Sequence, residues 1–206
     1  MRISHTMVAG VVAATTLAVS VAGCGNNHTS SPARSGSATT ATSTRSSPTT
    51  SSPSAQGTDY SGLLIQATDI NAPVPFTGSP PTNNPNGQPG VATTFSTEDG
   101  GRVIHDTIQV LADPGAAANA LNSAKEGQAK SIKDPQTEST NVGTGGTTLT
   151  GNSPDGTKGV AVLMFTEGRA LVTLEFDGPP GMLPPPDFVM DTGQKQDAAV
   201  KKGLGG

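Results

Sequence analysis

Polar and apolar positions divide the chain into three stretches. Met7 to Val21 is an uncharged run built mostly of Ala and Val. From Gly25 to about Thr58 no apolar periodicity appears, only Ser, Thr, Ala, Pro and Gly with isolated polar residues. Beyond Asp59 apolar residues return in short runs bounded by Gly, Pro, Asn and Asp, the pattern of strands joined by turns. This predicts a leader over residues 1–23, a tether over 24–58 and one domain over 59–206.

Within the domain, Leu63, Leu64, Ile65 and Ile70 predict a short helix or turn that docks early. Residues 72–90 carry Pro73, Pro75, Pro80, Pro81, Pro85 and Pro89 and read as a long irregular loop. Val91 to Ser96 and Arg102 to Leu111 alternate as a hairpin around Glu98-Asp99-Gly100-Gly101, since glycine accepts the positive φ of such turns. That register puts Ile104, Asp106, Ile108 and Val110 on one face and His105 on the other. Asp113-Pro114 opens a helix, with Ala117, Leu121, Ala124, Gln128 and Ile132 at helical spacing and Asp134-Pro135 ending it.

Residues 137–142 and 147–150 predict short polar strands joined at Gly143-Thr144-Gly145-Gly146. The strongest strands follow: residues 159–165, almost wholly apolar, and residues 169–176, with Ala170, Val172, Leu174 and Phe176 on the buried side. A tight turn at Glu167-Gly168 joins them, and this hairpin is expected at the centre of the sheet. Residues 178–186 are proline-rich and predict an extended, partly polyproline II segment. Asp187 is then expected to cap a last helix to about Lys202, closed by Gly203, with Phe188, Val189, Ala198, Ala199 and Val200 facing inward. The sum is an α+β fold: a mostly antiparallel sheet of about six strands with two helices packed on one face.

The leader adds the first chemistry. Arg2 and His5 precede the apolar run, which at fifteen residues is shorter than the roughly 20 that span a bilayer. It ends in Val21-Ala22-Gly23-Cys24. Small residues let a peptidase hold the backbone extended, and the thiol supplies an acylation site. Cys24 is the one cysteine of the chain, so no partner within the molecule can oxidise it to a disulfide. This tetrapeptide resembles the lipobox of bacterial lipoproteins, with Val21 where leucine is commoner. The resemblance implies a diacylglyceryl thioether on Cys24, cleavage before it and a further acyl chain such as palmitate on the new amine. The protein is then expected at the cell membrane, lipid-anchored on the extracytoplasmic face. Residues 25–58 have an r.m.s. span of roughly 30 Å as a flexible chain, and Ser/Thr-rich stretches with proline are common O-glycosylation stalks.

Charge narrows the partners. Of 12 Lys and Arg, Arg2, Arg34 and Arg45 precede the domain, which leaves nine against all 16 Asp and Glu, a net charge near −7. That is a poor match for nucleic acid or anionic head groups. His105 is the one histidine of the domain, too few ligands for a zinc site, and it cannot share a site with Asp106 on the opposite strand face. No Gly-x-Ser-x-Gly occurs, and Gly143-Thr144-Gly145-Gly146 leads into a strand rather than a phosphate-binding helix. Glu175 and Asp177 read as solvated carboxylates. No catalytic residue, metal or cofactor is expected, and the chain is expected to be a monomer.

The lipobox, the Ser/Thr tether, the helix opening Asp113-Pro114-Gly115-Ala116-Ala117-Ala118 and the closing stretch Gln194-Lys195-Gln196-Asp197-Ala198-Ala199-Val200-Lys201-Lys202 resemble secreted lipoproteins of mycobacteria and their relatives. The layout is similar to the LpqN-type lipoproteins, which have a PsbP-like sandwich. It is also similar to the extracellular sensor domain of PknH-type kinases, although that domain has disulfide cysteines and this chain has none after Cys24. The implied function is a non-enzymatic envelope binding module contacting envelope proteins or a glycolipid. The alternatives are a carrier with a lipid or glycolipid in an apolar cavity lined from Val160 to Phe176, and an envelope hydrolase. The candidate contact surface is Phe76, Met182 and Leu183, apolar residues in proline-rich segments where a mere connector needs none.

Overall fold

The computed structural model describes residues 58–205. Cys24 and the tether lie outside the described residues. The domain is built on one antiparallel sheet of eight strands. In chain order these are β1 (Phe76–Gly78), β2 (Thr82–Asn83), β3 (Gly90–Thr97), β4 (Val103–Val110), β5 (Lys133–Ser139), β6 (Thr144–Asn152), β7 (Gly159–Glu167) and β8 (Ala170–Gly178). Two helices, α1 (Pro114–Ser131) and α2 (Pro186–Leu204), complete the α+β architecture. The strand order is β1-β3-β4-β8-β7-β6-β5, with β2 also paired to β3. The β7–β8 hairpin thus sits at the middle, as its apolar content predicts.

Alternation along β8 divides the interior into two layers. Ala170, Val172, Leu174 and Phe176 join Ile104, Ile108, Leu163 and Phe165 in a core that also takes Val189 and Val200 of α2. The opposite positions, Leu171, Val160, Val162 and Met164, pack with Leu121 of α1. The helices therefore cover opposite faces, not one face together. β7 shows why: eight of its nine residues, Gly159 to Thr166, are buried, which requires cover on both sides. No helix among the described residues is long and apolar enough to cross a membrane.

The early docking of residues 60–70 is present as two 3₁₀ turns, Ser61–Leu63 and Ala67–Asp69, with Leu63, Leu64, Ile65 and Ile70 buried. Gln196 of α2 holds this segment. Its fully buried amide accepts from the Ile65 N–H (3.1 Å) and donates to the Leu63 carbonyl (2.6 Å). Two backbone groups buried among apolar side chains are thereby satisfied.

Several boundaries differ from expectation. Residues 72–90 are not one irregular loop: β1 and β2 lie within them as short edge strands, a position where flanking prolines cost no ladder bond. β5 begins at Lys133, directly after the helix, because Asp134 takes a left-handed backbone (φ 51°) that turns the chain without glycine. The pairing of β5 with β6 shifts between Lys133 and Gln136, around Pro135. Thr144 to Gly146 belong to β6 rather than to a turn. The tight turn between β7 and β8 is Gly168-Arg169, with Glu167 already paired to Ala170. Residues 179–182 form a turn, the Met182 N–H donating to the Pro179 carbonyl (3.0 Å) with Gly181 at φ 70°, so only the residues after it run extended.

α2 starts two residues earlier than expected, with Pro185 in place of Asp187 at its cap position, and Asp187 lies in its first turn without capping. It ends at Gly205 (φ 74°), whereas Gly203 stays helical. A Cβ at Gly203 would come within 2.4 Å of Leu63, so that glycine serves close packing. Ala198 is exposed. At α1 the expected cap is present: the Asp113 carboxylate accepts from the Ala116 N–H at 2.8 Å.

Candidate binding cleft

β8 ends and β4 begins at the same end of the sheet, where Val103 pairs with Asp177. The first residue of β1 and the first turn of α2 converge there. Three rings form the resulting floor. Phe188 stacks on Phe76 (centroids 6.3 Å apart) and meets Phe176 edge-on at 5.7 Å. Above them opens a cleft of about 420 Å³, walled on one side by residues 71–74 and on the other by residues 179–185. Its walls carry Val74, Met182 and Leu183, whose exposures of 41%, 56% and 49% set them apart from the buried core.

The wall 179–185 is seated on glycine. A Cβ at Gly159 or Gly178 would approach the Met182 carbonyl oxygen to 2.5 or 2.7 Å. The Gly159 N–H donates to the Pro179 carbonyl at 3.2 Å. The strands thus meet the loop backbone directly, and prolines at 179, 180, 184 and 185 restrict its remaining freedom. Ligand binding would then order little new chain, which favours affinity.

The sequence-predicted contact residues are brought together here, in two roles. Met182 and Leu183 line the cleft as exposed side chains. Phe76 is 8% exposed and belongs to the floor. Val74 and Arg102 also line the cleft and were not singled out by the sequence. A valine flanked by Pro73 and Pro75, with no periodic apolar partner, is the signal that could have found the first. The cavity that the carrier alternative requires between the central hairpin and the helices is filled by packing. Val162, Leu163, Met164 and Phe165 are wholly buried, and among the hairpin's apolar residues Val160 and Phe176, near its end, reach a cavity.

Asp177 lines the cleft and also a polar groove of about 590 Å³ near the end of α1. Glu175, Lys158, Asp155 and Thr157 line that groove with it. Asp177 is not the solvated carboxylate its sequence context suggests: its side chain is 6% exposed, Lys158 Nζ donates to its Oδ2 at 2.5 Å, and His105 Nε2 lies 3.8 Å away. That hydrogen bond and the charge behind it raise the Lys158 pKa. Burial, followed by repulsion from Asp177, raises that of the half-buried Glu175. His105 is exposed and Asp106 fully buried, on opposite faces as the alternation requires. Among the described residues no group of three or more His, Cys, Asp or Glu converges as metal ligands.

No protein-family model matches this chain, and no curated protein is similar to it in sequence. Its fold is similar to that of the extracellular domain of PknH from Mycobacterium tuberculosis, with a TM-score of 0.51 at 9% identity over 71% of this chain and 95% of that one. At that identity the likeness is one of fold. It agrees, as a fold, with the PknH-type resemblance of the sequence layout.

Proposed function

We propose that the chain is a lipoprotein, held by Cys24 on the extracytoplasmic face of the cell membrane, that displays a non-enzymatic binding module related to PknH-type sensor domains and LpqN-type lipoproteins. The binding element is the cleft over Phe76, Phe176 and Phe188. One observation carries this reading: among the described residues the large apolar side chains left exposed, Val74, Met182 and Leu183, all line one cleft instead of lying scattered. Apolar patches of that kind on a folded domain mark contact sites. The extracellular setting of the fold neighbour and the signal-like leader support the location.

Two measurements check the proposal. Met182→Ser with Leu183→Ser is expected to leave the unfolding midpoint within about 0.5 kcal/mol of wild type, because both side chains are exposed. The same variant should lose the partners that wild type captures by cross-linking in envelope extracts. An unchanged set of partners, or an unfolded variant, would give these residues a structural role only. Cys24→Ala is expected to move the protein from the detergent phase to the aqueous phase, since two acyl chains give stable anchoring and none remains. Partition like that of wild type would remove the lipoprotein part of the proposal.

A further inference from the structure

The cleft has a charge at its mouth that its apolar lining does not explain. Arg102 lines it, at the end of the β3–β4 turn. Its backbone is fixed there: its N–H donates to Thr97 Oγ1 (3.1 Å) and its carbonyl accepts from the Thr97 N–H (3.0 Å). Its guanidinium forms no ion pair among the described residues. The nearby carboxylate of Asp99 is engaged instead by the Thr97 hydroxyl (2.6 Å) and the Gly101 N–H (3.0 Å). The other charged residue lining the cleft is Asp177, whose carboxylate is met by Lys158. In a domain with net charge near −7, the cleft therefore carries, beside an apolar trough, a guanidinium whose charge helps to lower the Asp99 pKa but that forms no ion pair with it.

From this we infer that the cleft takes a long-chain carboxylate, a single-chain fatty acid whose tail lies over the three phenylalanines and whose head meets Arg102. The inference rests on the cleft being the binding element. Size suits a single chain: a cleft of about 420 Å³ lies toward the small end of the roughly 300–1,000 Å³ range of small-molecule sites. Tail burial supplies affinity, about fourfold for each methylene covered. The planar, permanently charged fork of arginine matches a carboxylate with two parallel hydrogen bonds, and so supplies the preference for an acid over a neutral chain.

The test uses the full chain carrying Cys24→Ser, which has no acyl group of its own to compete. Tetradecanoate, tetradecan-1-ol and octanoate are titrated against a fluorescent fatty-acid probe. Tetradecanoate is expected to displace the probe about tenfold more tightly than the alcohol, and octanoate, six methylenes shorter, to be weaker by on the order of a thousandfold. Arg102→Gln should weaken tetradecanoate about tenfold and leave the alcohol unchanged. Met182→Ser with Leu183→Ser should weaken both. Equal binding of acid and alcohol, with Arg102→Gln silent, would overturn the anionic ligand and leave the cleft standing as an apolar site. No binding of any chain, with captured envelope proteins still lost in the double variant, would overturn the fatty acid and keep a protein-binding cleft. Wild-type tetradecanoate binding by a folded double variant would overturn both.

Discussion

Leu174→Ala is expected to destabilise the domain by about 2–5 kcal/mol, the range for removing a large aliphatic side chain from a closed core. Leu174 lies on β8, the middle strand, with no exposed surface. It pairs with Leu163 on β7 and with Asp106 on β4, under the layer that holds α2. Strands on both sides prevent the backbone from collapsing into the space left. Domains of this size have total stabilities of roughly 5–15 kcal/mol, so the loss would be a large fraction of the whole. Urea unfolding of wild type and variant measures it. A shift below about 0.5 kcal/mol would place Leu174 outside the core.

A loss of comparable size is expected from pH alone. Asp106 is fully buried, neither carboxyl oxygen has a hydrogen-bond partner, and burial pushes its pKa up to about 8. In the unfolded chain it ionises near 3.9. Below that value both states hold the proton and Asp106 contributes no pH dependence. As pH rises from about 4 to about 8 the unfolded chain releases its proton while the folded domain keeps it, so stability falls, and it levels off once the folded carboxyl ionises too. At about 1.4 kcal/mol per pKa unit the fall is on the order of 5 kcal/mol. Glu175, also raised, acts in the same direction. Asp59, Asp99 and Asp155, all lowered by local hydrogen bonds, act oppositely and at more acid pH. Denaturant midpoints between pH 4.5 and 8.5 should decline in wild type and decline much less in Asp106→Asn, where Glu175 alone among the described carboxyls keeps a raised pKa. Parallel profiles would show that Asp106 titrates normally.

The strands that alternate or run apolar for eight or nine residues were legible in the sequence because burial imposes a period of two. β3 and β4 follow that rule, as does the opposite placement of His105 and Asp106, while β7, covered on both faces, was legible instead as an unbroken apolar run. The Asp113 cap was legible because its chemistry is local. β1 and β2 were not: three and two residues long at a sheet edge, they are held by backbone pairing that leaves no side-chain signature. The assignment of α1 and α2 to opposite faces was hidden for a related reason. A strand apolar on both sides says that both faces are covered, but not by which helix. Of the cleft, Met182, Leu183 and Phe76 were legible as apolar residues among prolines. Arg102 and the Lys158–Asp177 pair were not, since they join the site through strand register over long separations in sequence.

The two margins of the sheet have a consequence for how the molecule behaves when crowded. One margin ends in β1 and β2, too short to template a further strand. The other ends in β5, where Pro135 lacks an N–H, Asp134 turns the backbone left-handed and the pairing slips beside Lys133. These are the devices by which sheet proteins avoid joining edge to edge. With both margins blunted, copies held close together meet at most the short regular stretch Gln136 to Ser139 as an open row of backbone donors and acceptors, which disfavours the edge-to-edge growth a wide sheet could otherwise seed.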